Sequence, residues 1–237
     1  MLSYRKLAMR VLGRPLHTGG NDSPRPASQR AAAFILTVAM LTTLAAPAFA
    51  DTWCIENGNI TVKAGDTEGT NWVSQGEKED VKDTDTVITG ESDKNTVTID
   101  TSKGDVDVTF DDLKIDVSGK TEVDGSGDGS TRESNAAVTV QGGGDATIEL
   151  DGDNKLKSGS NNAGLEKNKQ ESKGTLTIKD DKGKDGSLTA EGGEGGAGIG
   201  GGAERTGSNI TIRGGTIEAV GGARSGRHRR RCRCAAA

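Results

Sequence analysis

The 237-residue chain carries 30 Lys and Arg against 35 Asp and Glu, with two histidines, three cysteines and six aromatic residues. Between Asp51 and Gly226 it has no His, Pro or Tyr and only one cysteine, Cys54, which excludes Ser-His and Cys-His nucleophile systems, a His-ligated zinc and a disulfide framework. The same body holds 34 acidic and 19 basic residues, a net charge near −15 that repels nucleic-acid phosphates.

Residues 1–50 read as an export signal. Arg5, Lys6, Arg10, Arg14, Arg25 and Arg30 precede the apolar run "AAAFILTVAMLTTLAAPAFA", which closes on the small-x-small site Ala48-Phe49-Ala50. A run of about 20 apolar residues is also long enough to span a bilayer. Pro47 and the Ala-x-Ala end favour cleavage, which leaves no membrane segment in the mature chain.

From Asp51 onward, short β-branched runs recur between Gly, Asp and Asn, and no window keeps a helical period. Residues 51–94 are expected to form an N-terminal β segment or cap, and residues 95–222 a repeat array. The runs come in an ordered cycle of three. The first member aligns Val108-Thr109-Phe110, Ile148-Glu149-Leu150, Leu176-Thr177-Ile178 and Ile210-Thr211-Ile212. The second contains Leu113-Lys114-Ile115, Leu156-Lys157, Leu188-Thr189 and Ile217-Glu218, and the third Ala136-Ala137-Val138, Ala163-Gly164-Leu165 and Ala197-Gly198-Ile199. Apolar residues flanking a polar middle put two side chains inward and one outward. Three short strands per turn with loops of varying length predict an all-β parallel β-helix (a β-solenoid), each strand pairing with its copy at a rise of about 4.8 Å. An antiparallel β-sandwich is the other fold considered; it needs tight hairpins, and no Asn-Gly turn separates the runs of residues 95–222.

The stretch "GTLTIKD…GSLTAEGGEGGAGIGGG…SNITIRGGTIEAVGG" resembles the Gly-rich repeat proteins, secreted or surface-bound, of Gram-positive gut-type bacteria that are known as carbohydrate-binding-domain-containing proteins. The likeness is strong over residues 135–222 and weaker back to Asn95. It implies a right-handed parallel β-helix at a bacterial surface, and it brings no motif residues with it.

After "EAVGGARSG" the motif "AGIGGG" is due again, and the chain reads "RHRRRCRC" instead. One set of codons for that tail, shifted by one base, encodes Gly-Ile-Gly-Gly-Gly-Ala-Ala. Residues 223–237 therefore read as an out-of-frame or disordered basic tail, and the array as truncated at its C-terminal coil. Such an end leaves strand edges unpaired and invites self-association. His228, Cys232 and Cys234 offer a metal three ligands and no fourth.

Two motifs fail on context. Gly193-Glu194-Gly195-Gly196-Ala197-Gly198 fits G-x-G-x-x-G, yet no helix follows to receive a phosphate, so tight turns and close packing account for the glycines. Asp124 and Asp128 open an acidic loop like a calcium site, but Asn135 stands where the bidentate Glu belongs; calcium is the only cofactor the sequence admits. Candidate ligand platforms reduce to Trp53 and Trp72, which are equally suited to capping an open end. The expected function is a secreted or cell-surface, non-catalytic protein that binds or presents, with polysaccharide or glycan as ligand class. A lyase-like enzyme, with Lys114 or Arg213 as base, and a structural adhesin stalk are the alternatives.

Overall fold

The computed structural model describes residues 51–119, 135–183 and 185–223, together with the backbone of residues 231–235. The β-branched runs become strands, in chain order β1 (Thr52–Cys54), β2 (Ile60–Ala64), β3 (Asn71–Gln75), β4 (Lys78–Asp83), β5 (Val87–Ser92), β6 (Val97–Thr101), β7 (Val106–Asp116), β8 (Val138–Gly142), β9 (Ala146–Asp151), β10 (Asp153–Lys157), β11 (Leu165–Glu166), β12 (Leu176–Lys179), β13 (Ser187–Glu191), β14 (Ile199–Gly200), β15 (Ile210–Ile212), β16 (Thr216–Val220) and β17 (Arg231–Ala235). Among the described residues there is no α-helix, only one 3₁₀ turn at Ile55–Asn57, and no helix long and apolar enough to cross a membrane. The export signal and the acidic loop with Asp124 and Asp128 lie outside the described residues.

The strands form two sheets, and this corrects the three-strand coil. The larger sheet has ten strands, ordered β15-β12-β9-β7-β10-β13-β16-β17, with β5 also on β7 and β1 on β5. The smaller has seven, ordered β14-β11-β8-β6-β2-β3-β4. Two of the three strands expected per coil share the larger sheet, and at β7 they are one continuous strand of 11 residues. Asp111-Asp112 does not break β7 because Asp112 adopts a left-handed conformation, φ 51°, and bends the strand without ending it. The first arm of β7 pairs with β9, Val108 opposite Ile148, and the second with β10, Lys114 opposite Lys155.

The smaller sheet is mixed, a further departure. β2 pairs in parallel with β6 but antiparallel with β3, and β3 is antiparallel to β4. Gly76 and Glu77 alone join β3 to β4, and Gly76 at φ 59° supplies the left-handed residue that a two-residue hairpin demands. At the other end of the larger sheet, the backbone of β17 lies antiparallel on β16, Ile217 opposite Cys234. The edge expected to stay open there is covered.

The core follows the pairing registers. Alternate residues face inward, so parallel pairing stacks like on like: Val108, Ile148, Ile178 and Ile212 in one file, Val138, Leu165 and Ile199 in another. Most of these side chains are wholly buried, each stabilising the fold by about 1.5–3 kcal/mol relative to exposure. Some registers of the first two repeat members differ by two residues from those expected, Leu176 pairing with Ala146 and Leu156 with Ile115, while Val108 with Ile148, Leu176 with Ile210 and Leu188 with Ile217 pair as aligned. An offset of two keeps every side chain on its own face, so the apolar pattern is satisfied either way. Glycines set the spacing between neighbouring turns of chain. A Cβ on Gly193 would come within 1.9 Å of the Gly159 carbonyl oxygen, and this close approach explains the G-x-G-x-x-G match.

Candidate functional site

The outward residues of β7, β10 and β13 form two rows. Along the first, Glu91 of β5 pairs with Lys114, Lys114 with Lys155, and Lys155 with Thr189. Along the second, Asp116 pairs with Lys157 and Lys157 with Glu191. These side chains, with Ser92 and Asp93, line an open groove of about 370 Å³. Sheet strands hold their Cα positions by ladder hydrogen bonds on both sides, so the groups are placed on a rigid base.

The two rows differ electrostatically. Lys157 sits between carboxylates, its Nζ 3.5 Å from Asp116. Desolvation works to raise the Asp116 carboxyl, but hydrogen bonds from Ser118 and the charge of Lys157 outweigh it and hold it below the usual carboxylate range. Lys114 and Lys155 instead face each other across adjacent strands, and among the described residues neither has an ion-pair partner. Like charges directly opposite on a sheet repel. Two like charges side by side without an ion pair, in so acidic a body, are the anomaly that marks this groove.

A second groove, of about 320 Å³, runs past Asn71, Asp85, Thr109, Thr147, Glu149, Lys179 and Lys182. Its two lysines are already paired with carboxylates. Glu149 is buried, accepts the backbone N–H groups of Asp181 and Lys182 at 2.6 and 2.7 Å, and lies 3.2 Å from the Lys179 ammonium, while Lys182 pairs with Asp85. This is a clamp on the turn after β12. Lys167 is likewise structural: fully buried, it donates to the carbonyl oxygens of Ser172 and Ser208, and burial lowers its pKa. Beside it Glu166 and Asn168 accept from the backbone N–H groups of Ala163 and Gly202.

The candidates named from sequence scatter. Trp53 is only 2% exposed, its indole N–H donating to buried Asp83 at 2.7 Å and Lys78 lying 5.2 Å over its ring. It is therefore a core residue and not a platform. Trp72 is half-buried on β3, between Lys63 and Lys82. Lys114 lines the groove, whereas Arg213 follows β15 on the other arm of the larger sheet, its N–H bonded to the Ile178 carbonyl, so the two bases are not brought together. Lys155 escaped the sequence reading, and Lys157 entered it only as a repeat position. Matching apolar residues aligned Lys114 with Lys157, and the two-residue offset concealed that Lys155 is its true neighbour.

Among the described residues no cluster of three or more His, Cys, Asp or Glu is arranged to hold a metal ion. Cys54 is a free thiol; its hydrogen bond to the Glu56 carboxylate, with burial and that negative charge, pushes its pKa up, while Glu56 is held low by the same bond. No family model, curated protein or solved structure matches the chain.

Proposed function

We propose that the chain is an exported or surface-presented all-β protein that binds carbohydrate at the groove over β7, β10 and β13 and does not turn it over. The observation behind this reading is the groove's lining, in which three ammonium groups and four carboxylates (Glu91, Asp93, Asp116 and Glu191) lie close together beside Thr189 and Ser92. A polyhydroxylated ligand needs donors and acceptors in close succession, and a sugar hydroxyl is both. The Gly-rich repeats and the export-type leader agree with such a role.

The test is a glycan array probed with the purified chain and with Lys155→Glu, which places a fifth carboxylate in the groove. The wild-type chain is expected to hold a defined set of glycans that Lys155→Glu loses. Absence of any glycan binding, or a set unaffected by the substitution, would refute the reading. Release of unsaturated uronate from pectin or alginate would establish the enzymatic alternative.

A further inference from the structure

We infer that the groove selects a sugar bearing a single carboxylate, a uronic acid, whose charge sits between Lys114 and Lys155. The inference rests on the carbohydrate-binding reading and specifies its ligand class. Lys114 and Lys155 are opposite one another on neighbouring parallel strands, without a carboxylate partner among the described residues. Strand neighbours stand about 4.8 Å apart, so one carboxylate placed between the two ammonium groups accepts from both and turns their repulsion into attraction.

What surrounds the pair restricts the ligand further. Glu91 follows Lys114 in the same row, and Asp116 and Glu191 flank Lys157 in the next. Carboxylates in that position accept hydrogen bonds from hydroxyls and repel a second negative charge. A free phosphate, a sulfated glycan or nucleic acid therefore meets the ring as an opposing field, reinforced by the body's net charge near −15 (34 acidic against 19 basic residues). A neutral sugar meets no repulsion but leaves the two lysines unmatched. Only a ligand with one acidic group among many hydroxyls satisfies both the centre and the rim.

Calorimetric titration with an aldotriouronic acid (one glucuronic acid on xylobiose), its methyl ester and trigalacturonate, which carries three carboxylates, separates the possibilities. The aldotriouronic acid is expected to bind about tenfold or more tightly than the ester. Lys155→Met should remove that advantage, bringing acid and ester to similar affinities, and Lys155→Arg should restore it. Lys182→Met, in the second groove, should behave as wild type. Acid and ester binding equally in the wild-type chain would overturn the inference and leave carbohydrate binding standing. Trigalacturonate binding as tightly as the aldotriouronic acid would overturn the single-charge requirement, and no binding by any of the three would overturn both readings.

Discussion

Asn154 stands in a file that is otherwise aliphatic: it pairs with Leu188, which pairs with Ile217, and it is 1% exposed. Sequence logic would place a leucine there. The bend in β7 explains the amide, because Leu113 follows Asp112 and its N–H is bonded by the Asn154 side-chain oxygen at 2.9 Å. The Asn154 NH₂ in turn donates to the Asp151 and Ser187 carbonyls. Asn154→Leu should thus destabilise by about 1–3 kcal/mol in urea unfolding despite improving the apolar pattern, since it orphans a buried N–H. Asp111 offers a test by pH. Desolvation first, and then the charges of Asp151 opposite it and of Asp112, raise its pKa. A raised folded pKa contributes stability that is full below the unfolded value, about 3.9, and is lost as pH rises through the folded value. Asp151→Asn should accordingly raise the melting temperature at pH 7 by roughly 1–3 °C, and the gain should vanish near pH 3.

At the scale of elements, bends decide how the strands partition. β7 turns at Asp112, and the next layer breaks between β9 and β10 at Gly152, φ 59°. Asp112 tolerates the left-handed conformation and its carboxylate accepts the Asp153 N–H at 2.9 Å, tying one bend to the next. Asp112→Asn should keep both features and unfold as wild type. Asp112→Val should lose both and cost about 1–2 kcal/mol from backbone strain alone, read from the midpoint of chemical unfolding. A β-branched residue that stabilised the protein would show that β7 runs straight. The polar pair Asp111-Asp112 reads as a turn in sequence because Asp is frequent in turns; that it also serves as a bend inside a strand depends on partners from β10 that no local window contains.

Across the whole molecule, what was legible followed from face alternation. Strand content and inward residues could be read because the period of two survives any register. The third repeat member was also placed correctly, Val138 opposite Leu165 and Leu165 opposite Ile199, since each begins after a small-residue corner that admits one alignment. The grouping into two sheets was hidden by the left-handed Asp112, and the hairpin of β3 and β4 by its charged second strand, Lys78–Asp83, which lacks an apolar alternation. The groove was hidden for a related reason: its defining contact, Lys114 beside Lys155, depends on a register that apolar matching placed two residues away.

The claim that this outer face is the binding surface can be measured most directly by titrating the ¹⁵N-labelled chain with the aldotriouronic acid and following backbone amide shifts. The account predicts saturable shifts confined to Lys114–Asp116, Lys155–Lys157 and Thr189–Glu191, and their loss in Lys155→Met. Shifts centred instead on Trp72 and the hairpin of β3 and β4, or none at saturating ligand, would contradict it.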